Sequence, residues 1–408
     1  MTKTTMRYLA ALGILLGAAA ACNNDELFHN TGLDPVSPLF TRYVAMGNSI
    51  TAGFQSAGIN DSTQVQAYPA LLALQMHTPF WQPLLNRPGC FPPIVSVFSV
   101  PRTYVGGAPA NACALRKTQS PEPPYINDVA VPGAYAYSIL DNVDTSKSHP
   151  NALTSFFLGG MTQMQMLKKV NPTFFTAWIG NNDVLTAATG GGDTTKVTDT
   201  TAFKAEYSAM LDSVASPTLR GGVLIGVANV TLIPFFSKGS TYFALKNGLV
   251  PGAPPLPATF VVLPACAPGA LGGIGDSVLV PFTFGIPLIG AAAAGATDTL
   301  GCTEVATVQP AELRKLAATV TAYNTFIQAQ AATRGYGYFD PNALFTALPA
   351  GSIPAFPTIS GASAVTAPFG NYFTRDGVHP SGLAHKLVAN GVIQVINTKY
   401  GTALKAIP

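Results

Sequence analysis

The chain has 408 residues, enough for two average domains or for one α/β domain carrying long insertions. Charged residues make up only 10% of it, the formal net charge is +3, and the mean hydropathy is +0.30. That balance points away from a nucleic-acid partner, and it supplies the apolar residues for a large core while leaving some surface greasy.

Residues 1–21 read as a signal peptide. Lys3 and Arg7 precede an apolar core, and small residues lead up to Cys22, while the stretch is too short for a permanent membrane span. Ala19-Ala20-Ala21-Cys22 resembles a bacterial lipoprotein box in which Cys22 is lipidated, although Ala19 stands where Leu is usual. Ala19 and Ala21 also suit an ordinary signal peptidase. Setting Cys22 aside leaves four cysteines, for which three pairings exist. The local one, Cys90 with Cys113 and Cys266 with Cys302, is expected, each bridge stapling a Pro/Gly-rich loop in an exported chain. Lipidation is favoured because an ordinary cut would strand Cys22 as an odd thiol. Residues 22–40 are polar and aperiodic, a tether in which His29 is expected to be solvated.

The first expected strand is 43–46, stopped by Gly47, with Ser49 just beyond its carboxyl end. A helix is expected over 68–76, followed by a Pro-rich insertion at about 78–125 that either walls a cleft or decorates the fold. A second strand at 126–131 leads to Gly133, and a helix runs through Met164, Met166 and Leu167. The third strand, 174–179, ends in Gly180-Asn181-Asn182-Asp183. Gly190, Gly191 and Gly192 read as a linker before a helix with Phe203, Tyr207, Met210, Leu211 and Val214 on one face. The fourth strand is 222–230.

A nearly uncharged second insertion follows at 235–308. Within it, 278–296 is apolar for about a membrane's thickness, but Pro281, Pro287 and several glycines argue against a helix, and a lid presenting an apolar wall is preferred. A helix spans 310–334, with proline at its first position and Gly335 as stop. The fifth strand is 336–339. Asp376 and His379 then lie three apart in a tight loop, ahead of a final helix that carries His385, read as packed or solvated.

Serine, a histidine base and an aspartate that orients it are the parts of an acyl-transfer triad, and a carboxamide suits an oxyanion hole. Four blocks carry a family resemblance: Gly47-Asn48-Ser49-Ile50-Thr51-Ala52-Gly53, the turn at Gly133, Gly180-Asn181-Asn182-Asp183, and Asp376-Gly377-Val378-His379. In that order they resemble the SGNH hydrolases, also called GDSL esterases and lipases. The chain departs from the family at Asn48, where Asp is usual.

The resemblance implies an α/β fold of flavodoxin-like type, a three-layer sandwich around a five-stranded parallel sheet. It assigns 41–408 to the hydrolase domain, Ser49, Asp376 and His379 to the triad, and Ser49, Gly133 and Asn182 to the oxyanion hole. The expected activity is hydrolysis of lipid-like or medium-chain esters, with no cofactor, metal or obligate protein partner. The alternatives are a carbohydrate O-acetylesterase using the same site and an inactive, surface-anchored binding lipoprotein. The expected location is the bacterial cell envelope, with the membrane reached through an N-terminal lipid anchor.

Overall fold

The computed structural model describes residues 33–120, 122–141, 151–251 and 256–408. The leader, Cys22 and His29 lie outside them. Four parallel strands, β1 (Tyr43–Gly47), β2 (Phe174–Trp178), β3 (Gly221–Ile225) and β4 (Gly337–Phe339), make an α/β fold with strand order β1-β2-β3-β4. The first three are buried along their whole length, as their unbroken runs of weakly polar residues require.

Successive residues serve opposite faces of the sheet. Val44, Met46, Phe175, Ala177 and Leu224 join one core, whereas Tyr43, Ala45, Phe174, Trp178, Val223 and Ile225 join another. Helices close both faces. After β1 come α1 (Ser49–Ala52) and α2 (Tyr68–Met76), and α3 (Gln163–Val170) precedes β2. Next are α4 (Asn182–Thr189), α5 (Thr200–Val214), α6 (Phe282–Ala293), α7 (Pro310–Arg334), α8 (Asn342–Ala347) and α9 (Gly382–Tyr400). In α7, Pro310 opens the helix, Gln309 and Glu312 form a capping box, and Gly335 closes it at φ 72°. Its buried stripe includes Leu316, Val320, Tyr323 and Ile327.

The second strand expected, at 126–131, is reduced to a parallel bridge between Ala45 and Asp128. The segment still exchanges backbone bonds with β1, from the Ala45 N–H to the Asn127 carbonyl at 3.0 Å, the Val129 N–H to the Ala45 carbonyl at 2.9 Å and the Val131 N–H to the Gly47 carbonyl at 3.2 Å, and side chains interrupt the rest. The Asn127 carboxamide, not a ladder amide, donates to the Tyr43 carbonyl at 2.8 Å, and the Ala130 N–H turns back to the Asp128 carboxylate at 3.3 Å. The strand expected over 222–230 also stops early, at Ile225.

Cys90 is bonded to Cys113 and Cys266 to Cys302. The second bridge sits in a separate small core with Tyr242, Phe260, Val278, Val280 and Leu300. Against expectation, the apolar stretch within 278–296 contains a helix, α6, of 12 residues. Pro281 is its N-cap, where a missing N–H costs nothing, and the helix continues past Pro287. No helix among the described residues is long and apolar enough to cross a membrane. Gly190, Gly191 and Gly192 form a packed turn and not a linker, since a Cβ on Gly191 or Gly192 would strike the Val305 backbone or the Glu312 side chain.

Candidate active site

β1 and β2 end side by side, with Gly47 opposite Trp178. The Gln163 side chain holds Gly47 from α3, accepting its N–H at 3.0 Å and donating to its carbonyl at 2.8 Å. Asn48 then caps α1, its side-chain oxygen accepting the Ile50 N–H at 3.2 Å. An oxygen is all that cap needs, so Asn serves there as Asp would. Its amide nitrogen, by contrast, is buried and meets no acceptor. Ser49 is the first residue of α1, so its backbone N–H has no partner within the helix.

The loop from Phe373 to Pro380, closed by a bridge between those two residues, brings the other two members of the predicted triad to Ser49. His379 Nε2 lies 2.9 Å from Ser49 Oγ, and His379 Nδ1 lies 2.8 Å from Asp376 Oδ2. The Phe54 ring packs on the imidazole at a centroid distance of 5.0 Å. Asp376 also accepts the Ala57 N–H on Oδ2 at 2.6 Å. Its Oδ1 accepts the N–H groups of Val378 and His379, both at 2.9 Å, and the Thr374 hydroxyl at 3.0 Å. Burial alone would raise the Asp376 carboxyl, but the His379 charge and these hydrogen bonds outweigh it and hold the group at about 2. The acid is therefore ionised at neutral pH and keeps the imidazole proton on Nδ1, leaving Nε2 to face the serine hydroxyl.

Gly133 sits in the turn Val131-Pro132-Gly133-Ala134, closed by the Ala134 N–H to the Val131 carbonyl at 3.1 Å. Proline in the second place and glycine at φ 82° in the third are the pattern of a type II turn. The first two residues of α4 clamp this segment. Asn182 Nδ2 donates to the Ala134 carbonyl at 2.8 Å, and Asp183 accepts the Ala136 N–H at 3.1 Å. Asn182 thus keeps its second amide hydrogen free of that bond.

Sequence reasoning missed several residues around this site. Ala57 and Thr374 fix Asp376, Gln163 fixes Gly47, and Asp183 fixes the Ala136 amide. Only Asp183 belongs to one of the four blocks, where no role was read for it. His385 is fully buried and accepts the Tyr68 N–H on Nδ1 at 3.2 Å, so it packs and is not solvated. Burial, with the nearby charge of His379, lowers it to about 3. Burial likewise pushes the Asp183 carboxyl up to about 7, and that of Asp128 up to about 8 against hydrogen bonds from Gln82 and Ala130. No group of three or more His, Cys, Asp or Glu among the described residues is arranged to hold a metal ion.

Two clefts open on the surface near these elements. One is polar, bounded by Arg116, Glu122, Met161 and Lys169, and contains none of the triad. The other is apolar, lined in part by Ile50, Val378 and Pro380, and likewise contains none of the triad.

No protein-family model matches the chain, and no curated protein matches it. Among solved structures it is similar to a catalytic mutant of Axe2, an acetylxylan esterase from Geobacillus stearothermophilus. That match has 10% identity and a TM-score of 0.35, covering 90% of this chain and 97% of that one. It is also similar to an extracellular lipase from Streptomyces rimosus, with 15% identity and a TM-score of 0.36 over 88% and 99% of the two chains. A putative acylhydrolase from Bacteroides fragilis gives 13% identity and a TM-score of 0.34 over 93% and 97%. At likenesses this distant, the functional reading rests on the side-chain geometry.

Proposed function

We infer that the chain is a serine hydrolase of carboxylic esters, of SGNH type. The observation that carries this reading is the unbroken relay from Asp376 Oδ2 to His379 Nδ1 at 2.8 Å and from His379 Nε2 to Ser49 Oγ at 2.9 Å. Both spans are hydrogen-bond distances for a nucleophile and its base. In the proposed reaction, His379 takes the Ser49 proton as Oγ attacks the ester carbonyl, and Asp376 steadies the imidazolium that forms. His379 then returns the proton to the departing alcohol, and water, activated in the same way, releases the acid from Ser49.

The negative oxygen of each tetrahedral intermediate would be held by the N–H groups of Ser49 and Gly133 and by the Asn182 amide. This reading is supported by the free N–H at the start of α1, the type II turn at Gly133 and the tie between Asn182 and that turn. Such donors are typically worth ~10²–10³ in rate each. The same reading assigns the edge segment beside β1 to the family's fifth strand and the two-sided packing to its three-layer sandwich.

The test is covalent labelling of the intact chain with a fluorophosphonate, run beside turnover of p-nitrophenyl acetate. Ser49 should carry the label, and Ser49→Ala should lose both label and turnover while keeping its thermal midpoint. Turnover that survives in Ser49→Ala would remove Ser49 from the mechanism.

A further inference from the structure

Two carboxamides hold the turn at Gly133, one on the carbonyl to either side of that residue. Asn182 donates to the carbonyl of Ala134, and Asn151 Nδ2 donates to that of Pro132 at 2.6 Å. Asn151 is itself fixed at its other end. It is the N-cap of the helix Ala152–Leu158, and its side-chain oxygen accepts the Leu153 N–H at 3.0 Å. Its amide nitrogen stands 3.3 Å from where a Cβ on Gly133 would sit, so glycine is what lets it come so close to the turn.

The Pro132 carbonyl and the Gly133 N–H belong to one planar peptide unit, and in a trans peptide the two point in opposite directions. Gripping the carbonyl therefore aims the N–H away from Asn151. The grip matters because a type II turn and a type I turn differ chiefly by a half-rotation of this central peptide. In the type I form the Gly133 N–H would point where the Pro132 carbonyl now points. A hydrogen bond on the carbonyl also polarises the peptide, which makes its N–H a stronger donor.

We propose that Asn151 is a positioning residue for the oxyanion hole, locking the Pro132–Gly133 peptide in the orientation that presents its N–H to the substrate oxygen. The proposal rests on the serine hydrolase reading and adds to that site a residue outside the four sequence blocks. Asn151 acts through Gly133 and touches no reacting atom. The charge that this N–H meets develops only as the carbonyl is attacked, so misaiming it lowers kcat far more than it raises KM.

Substitution separates the cap oxygen of Asn151 from its donor nitrogen. Asn151→Asp and Asn151→Ser both keep an oxygen for the helix cap. The first sets a carboxylate against the Pro132 carbonyl, and the second is too short to reach it. Asn151→Ala removes cap and donor together. The experiment measures kcat and KM for p-nitrophenyl acetate in the full chain and these variants, with the thermal midpoint and endpoint labelling of Ser49 by the fluorophosphonate. The Asp and Ser variants should keep the midpoint, the label and KM, while kcat falls at least about tenfold and in the Asp variant approaches the ~10²–10³ of a lost oxyanion donor. Either variant suffices if the other does not fold.

Parental kcat in the Asp and Ser variants would reduce Asn151 to a helix cap and overturn the proposal, leaving the hydrolase standing. A kcat lost only in Asn151→Ala, along with its midpoint, would overturn it in the same way, and so would a loss carried by KM. Absence of label and of turnover in the parent chain would sink the hydrolase reading, and this proposal with it.

Discussion

Asp183 is fully buried, accepts the Ala136 N–H, and has its carboxyl pushed by burial up to about 7. Between about pH 4, where a carboxylate titrates in the unfolded chain, and about pH 7, the folded chain holds a proton that the unfolded chain has lost. Stability therefore falls as pH rises through that window and levels off above it. Asp183→Asn keeps an acceptor for Ala136 and has nothing to ionise, so its thermal midpoint should drop less between pH 5 and pH 8 than the parent's. What drop remains belongs in part to Asp128, raised to about 8. Asp183→Ala removes the acceptor and frees the turn after Gly133. It should lower kcat by about tenfold or more with little change in KM, while the Asn variant retains activity. The grouping of Ser49, Asp376 and His379, which lie within hydrogen-bond distance in the fold, was legible in the sequence because each stands in a short turn marked by glycine or proline. Asp183 was not legible as a brace, because its partner Ala136 is 47 residues away and contributes only a backbone amide.

Among the elements, the long helix α7 was readable from end to end, since its apolar stripe and end signals agree. The segment at 126–131 pairs with β1 but its extent was not legible, because the side chains of Asn127 and Gln163 take the Tyr43 carbonyl and the Gly47 N–H that a longer ladder would use. α6 was hidden by prolines that the helix accommodates at its cap and within its body. The 235–308 insertion gathers around the Cys266–Cys302 bridge, whose partners are 36 residues apart. In the chain-entropy model a loop of that length is worth ~3–4 kcal/mol, less any native strain. The double variant Cys266→Ser, Cys302→Ser should accordingly unfold at a lower midpoint in a thermal or urea melt. An unchanged midpoint would show that Tyr242, Phe260 and their neighbours hold the insertion without a crosslink.

For the molecule as a whole, two disulfides fit an oxidising compartment, and the reading of Cys22 as a lipid attachment adds a membrane tether. The chain expressed in a bacterium should partition with the membrane fraction and enter the detergent phase, whereas Cys22→Ala should appear in the soluble periplasmic or secreted fraction. Equal partitioning of the two would remove the anchor from the account. The insertion is also tied to the loop that carries Asp376 and His379. The Phe235 N–H donates to the Gly377 carbonyl at 2.8 Å, and the Phe235 ring packs on Phe282 of α6 at 5.1 Å. Phe282 in turn meets Phe369 at 5.0 Å and Phe98, from the other insertion, at 6.1 Å. Gly377, at φ 69° with Phe235 Cα 3.0 Å from where a Cβ would sit, would be strained by any side chain. The two insertions are thus a brace on the imidazole's own loop and not detachable ornament. An engineer trimming this chain to a minimal scaffold would have to cut downstream of Phe236 and refill the space left by Phe282, or the shortened protein would keep Ser49, Asp376 and His379 and still mis-set the imidazole.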